Sequence, residues 1–412
     1  MKRDYLPQLS LAERDRRWAA LRNAMEKNGL DCLFIWANNR SWGIGLQNFR
    51  YVTHVGAREG IALFSLKRDP IVFAGNPHYY VPYNIFAEHQ NWTKDVRILS
   101  GIAPVIEAIK ELGLEKSKFG VVDTRGELTY HTIPYEPFKA LVEALPGAKF
   151  QNATMLVEEI RMIKSAEEIT FLQKSGDIAQ AMVQRMIDTC RPGIPEAEVY
   201  AEMHKALLVN GGEDYVFNIF DSGNLNDVDL HLQHGKENPL SPTMRMLRQH
   251  DVIMTEFHSN YGGYLTGCEK SVFLGNAPQE LKDLHEICLE AFDHGTAAMK
   301  PGNTFGAAVE AFRKPVLDAG MDFIELGLHG HGMGSPEFPT RVYKSSSSHT
   351  LAGSAVDKVV LQENMVFGTN IDIHNPNWRK DLGLMFGDTV VVTANGPRSL
   401  INTPRDLQKR VA

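Results

Sequence analysis

Hydrophobic residues recur every three to four positions in several stretches of the chain, which is the spacing of an amphipathic helix. The first of these stretches opens with Ser10 and Glu13, a capping box that predicts a helix N-terminus. Continuous apolar runs predict buried strands at residues 32–36, 60–64 and 70–74, the last two forming a hairpin. Helices and strands continue to alternate along residues 1–155, which are therefore predicted to form an N-terminal α/β domain.

A second unit, residues 156–412, follows with a different pattern. A capping box at Ser165 and Glu168 starts a long amphipathic stretch that ends at residues 191–193, Arg-Pro-Gly. The pattern then predicts helices at about 195–209, 278–299 and 304–319, and strands at about 252–257, 264–273, 366–373 and 388–393. We therefore expect helices packed on an antiparallel sheet, which makes the fold class of the whole chain α+β.

Charge and cysteine content narrow the class of protein. The formal net charge is −7, and no basic run exceeds two residues, so a surface that neutralises phosphates is missing and nucleic acid is not expected as a partner. No apolar stretch approaches the roughly 18 residues of a membrane span, and the N-terminus leads into a charged helix and not into a signal sequence. The four cysteines form no C-x-x-C pair, which argues against a disulfide scaffold. A cytoplasmic protein is the expectation.

Two carboxylates stand in the otherwise apolar hairpin predicted near residues 251–273. If its turn centres on Tyr261-Gly262, Glu256 lies opposite Gly267. Glu269 is then the diagonal neighbour of Glu256 on the same face, roughly 7–8 Å away. Carboxylates that share a pocket repel each other and shift their pKa values, which suits acid–base catalysis or cation binding. The alternative is that one of them pairs with a nearby cation.

Histidines stand in two further segments. His331 lies in a glycine-rich frame, residues 328–334, where the backbone can come close to a ligand. His231 and His234 lie in a polar segment ahead of the hairpin and could supply a base near neutral pH. Taken singly, each of these is more often a surface histidine than a catalyst.

These segments, taken in order, resemble the pita-bread hydrolases, which comprise creatinase, prolidase, aminopeptidase P and methionine aminopeptidase. The resemblance rests on residues 159–169, 191–193, 263–264, 330–334, 363–367 and 387–393. It covers the second half of the chain, and the first half is similar to the creatinase-type N-terminal domain. The resemblance implies a C-terminal domain built around a curved antiparallel sheet, and a homodimer.

The metallopeptidase members of that family hold two divalent ions with five side chains. At the matching positions this sequence has Glu256, Gly267, His331, Asn370 and Gly387, so three of the five ligands are missing. The family's additional histidine is replaced by Phe338. The pattern argues against a two-metal peptidase, and no metal or other cofactor is expected. A single ion on Glu256 and His331, with Asp372 or a nearby histidine, is the alternative.

Creatinase is the member that this pattern resembles most, because it works without metal and carries a glutamate at the position of Glu269. The resemblance implies a histidine base upstream of the hairpin. His234 is preferred over His231 because it lies nearer to the hairpin in the sequence. Asn370 replaces a glutamate that grips the cationic substrate in creatinase, so a neutral or weakly basic amide, lactam or cyclic amidine is favoured. Metal-independent ectoine hydrolases are similar in this respect.

The hypothesis is a metal-independent hydrolase that cleaves a non-peptide C–N bond in a small polar molecule. His234 takes a proton from water, Glu256 and Glu269 hold or protonate the nitrogen side, and His331 with Asn370 binds the developing charge. Further substrate contacts are assigned to Arg58, Arg341, His231 and Asp372.

Two rival functions remain. One is a lyase on the same fold, in which a carboxylate abstracts a proton and a leaving group departs. The other is a catalytically dead pseudopeptidase that serves as a binding subunit.

Overall fold

The structure, a computed structural model, describes residues 7–38, 45–56, 59–74, 92–123, 133–213, 218–227, 242–343, 355–379 and 381–409. The contacts divide the chain into two compact units. The first comprises Met1–Glu167 with Met333–Phe338, and the second comprises Glu168–Gly332 with Pro339–Ala412. The boundary expected from the sequence lies earlier, between residues 155 and 156.

The first unit is built on one mixed sheet. Its strands are β1 (Cys32–Asn38), β2 (Glu59–Ser65), β3 (Ile71–Ala74), β4 (Asp95–Ile98), β5 (Lys118–Val122) and β6 (Lys149–Asn152). Its helices are α1 (Leu11–Lys27), α2 (Gln47–Thr53), α3 (Ala103–Glu111), α4 (Tyr135–Ala144) and α5 (Thr154–Met162). The strand order is β4-β3-β2-β1-β5-β6, with β5 parallel to both β1 and β6. The predicted hairpin is confirmed, because β2 and β3 pair antiparallel.

The N-terminus of helix α1 forms one half of the predicted capping box. The Ser10 hydroxyl accepts the Glu13 N–H at 3.1 Å, as a capping box predicts. The reciprocal half is different, because the Ser10 N–H donates to the Glu167 carboxylate and not to Glu13. The Glu13 side chain instead pairs with Arg16 and Arg17. Glu167, which is distant in sequence, therefore accepts the hydrogen bond that Glu13 would accept in a complete capping box.

The second unit combines helices with two sheets that are antiparallel except for one parallel edge strand. Its strands are β7 (Asn218–Asn224), β8 (Asp251–Tyr261), β9 (Tyr264–Leu274), β10 (Asp322–Gly330), β11 (Glu337–Tyr343), β12 (Val366–His374), β13 (Gly383–Met385), β14 (Thr389–Thr393), β15 (Gly396–Ser399) and β16 (Gln408–Lys409). Its helices are α6 (Ala166–Thr189), α7 (Glu196–Val209), α8 (Gln279–Ala297) and α9 (Phe305–Asp318), and a short 3₁₀ turn is formed by Val356–Lys358. The predicted helices and strands of this half are thus confirmed.

Two sheets of the second unit meet at Glu269. One has the order β16-β9-β8-β7, and the other has the order β11-β10-β12-β14-β15, with β13 on the side of β12. The Gly387 N–H donates to the Glu269 carbonyl at 3.0 Å, and Lys270 forms a bridge with Phe386. This joins the middle of β9 to the segment ahead of β14. Side chains from β8, β9, β12 and β14 can therefore converge on one place.

The core explains why these strands are so regular. All eleven residues of β9 are buried, and Met182, Met186 and Met203 of α6 and α7 belong to the same hydrophobic core as Phe257 on one side of the sheet. Polar side chains such as Glu269 lie at alternate positions of the same strands, on the opposite face. One face of the hairpin thus packs in the core, and the other faces a polar pocket.

Within the described ranges, no helix is long and apolar enough to cross a membrane.

Candidate active site

The β8–β9 hairpin turns at Gly262-Gly263, so the predicted turn at Tyr261-Gly262 is wrong. Tyr261 pairs with Tyr264, and the two glycines between them have φ angles of 58° and 86°. A two-residue turn with positive φ at both positions favours glycine over tyrosine. The pairing therefore shifts by two residues from the expected register.

The corrected register brings the two hairpin carboxylates closer than the sequence predicted. Glu256 lies directly opposite Glu269, and His258 lies opposite Gly267. Directly paired side chains on one face have Cβ atoms roughly 4.5–5.5 Å apart, which is nearer than the diagonal arrangement. Glu269 is almost completely buried, whereas Glu256 is half-buried. The pair is thus one buried carboxyl beside one more accessible one.

Glu269 is held through both of its carboxyl oxygens. Asn370 Nδ2 donates to Oε1 at 2.6 Å, and the Ile371 N–H donates to Oε2 at 3.0 Å. Burial nevertheless raises the pKa of Glu269 well above its usual value, and the negative charges of Asp372 and Glu256 raise it further. A fixed carboxyl whose pKa is raised keeps its proton to higher pH than a free carboxyl does, which suits a general acid.

His331 is positioned by its backbone and by one hydroxyl. Its N–H donates to the Val366 carbonyl at 2.9 Å, and the next residue, Gly332, accepts the Leu265 N–H at 2.7 Å. The His331 Nδ1 atom lies 3.3 Å from the Thr389 hydroxyl. The glycine-rich frame therefore docks on the hairpin, as expected for a segment whose backbone comes close to its neighbours.

Two histidines that the sequence analysis missed lie beside His331. The ring centroid of His258 is 5.3 Å from that of His331, and the ring centroid of His329 is 4.7 Å from it. His258 is two residues after Glu256 on the same face of β8, and His329 is two residues before His331. That two-residue spacing is the signal that could have identified them.

Glycines make room for these rings. A Cβ atom at Gly267 would lie 2.7 and 2.8 Å from two atoms of the His258 imidazole. A Cβ atom at Gly368 would lie 2.4 Å from His331 Nε2 and 2.7 Å from His329 Cε1. Distances below about 3 Å are too short for carbon in a packed interior, so side chains at these positions would displace the histidines.

These residues line a small, partly open pocket whose volume of about 10 Å³ leaves room for about one water molecule. It is lined by two glutamates, three histidines and an asparagine: Glu256, Glu269, His258, His329, His331 and Asn370. The structure thus brings together four of the predicted site residues.

The other predicted site residues lie elsewhere or are not described. Asp372 is buried beside Glu269 and acts on its charge, but it does not line the pocket. The Arg341 guanidinium pairs with Asp357 at 2.9 Å and is not among the lining residues. Arg58, His231 and His234 lie outside the described residues. Their assigned roles stay predictions.

Comparison with known proteins identifies the family. The model of metallopeptidase family M24 matches residues 170–394, and the creatinase/prolidase N-terminal domain matches residues 17–163. The chain belongs to family M24. The resemblance to the pita-bread hydrolases is therefore confirmed, and so is the predicted combination of a creatinase-type N-terminal domain with a pita-bread C-terminal domain.

Similar proteins differ in the activity that their names state. The uncharacterized peptidase YqhT of Bacillus subtilis is 25% identical, over 94% of this chain and 98% of that protein. A Xaa-Pro dipeptidase of Pyrococcus horikoshii is 24% identical over 93% and 96%, and an ectoine hydrolase of Halomonas elongata is 23% identical over 95% and 96%. The X-Pro aminopeptidase of Thermotoga maritima has the same fold, with a TM-score of 0.76, 21% identity, and coverage of 96% of this chain and 99% of that one. The protein is thus an M24 hydrolase-family member.

The residues present do not fit the two ions that the M24 ligand pattern implies. The space for a side chain at Gly267 is taken by the His258 ring. At Gly387, a Cβ atom would lie 2.2 Å from the Thr369 carbonyl oxygen and 3.0 Å from Glu269 Oε2, so a longer side chain has no room. In the part of the chain that the structure describes, no group of three or more His, Cys, Asp or Glu side chains is arranged to hold a metal ion. Gly267 and Gly387 therefore lack both a donor atom and the space for a side chain that would carry one.

Proposed function

We propose that this M24 protein is a metal-independent hydrolase that cleaves a C–N bond other than a peptide bond in a small polar molecule. The observation that supports this most directly is the His258 imidazole in the space that a side chain at Gly267 would need. Where M24 peptidases place a metal-binding carboxylate, this chain places an acid–base group. The chemistry then falls to side chains that carry protons, and not to bound ions.

The site contains the parts for one such reaction. A histidine takes a proton from water, and the water oxygen forms a bond to the carbon of the C–N unit. The attack gives a tetrahedral carbon that carries the new hydroxyl. An oxygen lone pair on that carbon then forms the carbonyl as the C–N bond breaks, and the leaving nitrogen receives the Glu269 proton. Glu256, opposite Glu269, faces the nitrogen side and stabilises positive charge that develops there. The sum is addition of one water, which yields a carbonyl product and an amine.

The dimensions and polarity of the pocket favour a small substrate. The free space between the lining side chains is about 10 Å³, room for one water molecule, so a substrate must displace side chains to enter, and a compact ring displaces fewer of them than a peptide. Carboxyl oxygens line one part of the pocket and imidazoles line another, which suits a molecule with N–H groups at one end and an anionic or carbonyl group at the other. A cyclic amidine, a lactam or a small amide meets this description. The ectoine hydrolase relative supports the first of these, because ectoine is a cyclic amidine with a carboxylate.

The test is a substrate screen with purified protein, in water enriched in the heavy oxygen isotope. We expect turnover of ectoine or another cyclic amidine, lactam or amide, with one heavy oxygen in the product and no loss of rate after treatment with a chelator. Turnover of Xaa-Pro dipeptides that the chelator abolishes would identify a metallopeptidase and contradict the proposal. Product without heavy oxygen would identify a lyase.

Matched variants locate the activity. Glu269→Gln removes the proton donor and is expected to lower kcat by about 100-fold or more. Glu290→Gln makes the same chemical change on an exposed part of α8 and should leave kcat unchanged. A chain that shows neither turnover nor thermal stabilisation by any compound of the screen would be the binding subunit that the missing ligands allow.

A further inference from the structure

The Thr389 hydroxyl lies at the centre of a small hydrogen-bond network beneath the pocket. It is completely buried at the start of β14. Its oxygen lies 2.9 Å from the Gly267 nitrogen, 2.8 Å from the Gly267 carbonyl oxygen and 3.3 Å from His331 Nδ1. Three neighbours thus compete for one hydrogen and two lone pairs.

The chemistry of Gly267 decides which neighbour takes the hydrogen. A carbonyl oxygen can only accept, and two oxygens 2.8 Å apart need a hydrogen between them, so the Thr389 hydrogen points to the Gly267 carbonyl. A backbone N–H can only donate, so the Gly267 nitrogen uses one lone pair of the Thr389 oxygen. One lone pair is left to face His331 Nδ1. A lone pair can be satisfied only by a donor, so Nδ1 carries a hydrogen.

We propose that Thr389 is a positioning residue that holds His331 in the Nδ1–H tautomer and thereby makes His331 Nε2 the proton acceptor of the site. A neutral imidazole carries one hydrogen, so Nε2 then presents a lone pair. The inference rests on the proposed hydrolase function, and it names the base in that reaction. It also changes the role expected from the sequence, because a nitrogen without hydrogen cannot stabilise a developing negative charge by donation.

The absence of a side chain at Gly368 leaves room for Nε2 on the pocket side. A Cβ atom at this position would lie 2.4 Å from Nε2, and Gly368 itself lines the pocket. The edge of the ring that carries Nδ1 faces Thr389, whereas the edge that carries Nε2 faces the space over Gly368. Water held in the pocket can therefore transfer a proton to Nε2 while Nδ1–H stays bonded to Thr389. The imidazolium that forms keeps that hydrogen bond.

A spectroscopic test does not depend on any substrate. Protein labelled with ¹⁵N in histidine reports for each ring which nitrogen is protonated, and the His331→Gln variant identifies the His331 signals. We expect the wild-type neutral ring to show a protonated Nδ1 and an unprotonated Nε2. Thr389→Ser should keep this signature, whereas Thr389→Val should convert a large share of His331 to the other tautomer. An Nε2–H tautomer in the wild type overturns the proposal, even if the valine variant does not fold.

A kinetic test uses ectoine or whichever amidine, lactam or amide is turned over. Thr389→Val is expected to lower kcat by about 100-fold with little change in KM, and Thr389→Ser should restore most of it. Gly368→Ala should also lower kcat, because its methyl group occupies the space beside Nε2. Equal rates for the valine and serine variants would overturn the role of Thr389 while leaving the hydrolase function intact. Absence of any turnover would count against the hydrolase function, and the tautomer would still be decided by the spectrum.

Discussion

Restoring the aspartate that M24 peptidases carry at position 267 should destabilise this protein. In Gly267→Asp, the new Cβ atom would lie 2.7 and 2.8 Å from the His258 ring and 2.9 Å from the Phe257 carbonyl oxygen. Overpacking of this kind costs about 1–3 kcal/mol. The new carboxyl also enters a pocket that already holds Glu256 and Glu269, and it avoids part of the repulsion by taking up a proton. We expect a total loss of about 2–4 kcal/mol in the free energy of unfolding.

A double-mutant cycle separates the steric part from the charge. Gly267→Ala adds the Cβ atom alone, and His258→Gly removes two of the three close contacts, leaving the one to Phe257. Urea unfolding followed by circular dichroism should therefore show that Gly267→Ala costs about 1–3 kcal/mol in the wild type and about 1 kcal/mol less in the His258→Gly background. Strict additivity of the two changes would refute the idea that the histidine fills the space of the lost ligand.

Three further predictions concern charge and assembly. Because the pKa of Glu269 is raised from 4.5, the free energy of unfolding should fall as pH rises from about 4.5 through the raised pKa, by up to about 1.4 kcal/mol per pH unit. Glu269→Gln should flatten this slope when unfolding is measured from pH 4 to 8. Since Arg341 and Asp357 pair with each other, Arg341→Ala and Asp357→Asn should each lower the free energy of unfolding by about 1 kcal/mol. Arg341→Ala should change kcat/KM less than twofold, and a large rise in KM would place Arg341 in the substrate site. The homodimer should appear in light scattering coupled to size exclusion as a mass near 92 kDa, twice the 46.1 kDa of one chain, and a mass of one chain would contradict it.

The elements of the fold were predictable because their signals are local. Helix α1 begins after Ser10, whose hydroxyl accepts the Glu13 N–H, and both residues lie within one turn. The predicted hairpin register was wrong by two residues, although the signal that decides it, a pair of glycines, is also local. Two adjacent glycines allow positive φ at both turn positions, and placing Tyr261 in the turn ignored that preference.

The candidate site was predictable only in part, because its contacts are distant in sequence. The hairpin pattern located Glu256 and Glu269, the glycine-rich frame located His331, and the structure brings the three into one pocket. The hydrogen bond from Asn370 to Glu269 joins residues 101 positions apart, and no spacing rule predicts it. Nor could the sequence alone show that His258 occupies the space over Gly267, because that depends on which residues face each other across the hairpin.

The electrostatics of the pocket explain why the substitutions form a consistent set. Divalent ions offset the repulsion of several carboxylates in one small site, and without the ions those carboxylates would be costly to bury. Positions 267, 370 and 387, where M24 peptidases have carboxylate ligands, carry glycine, asparagine and glycine here, so negative charge has been removed together with the ligands. Yet Glu269 remains, fully buried and with a pKa raised by its neighbours, and Asn370 at one of the former ligand positions is bonded to it. A scaffold would be more stable with a neutral side chain at Glu269, whereas an enzyme that must deliver a proton there has a reason to bear the cost.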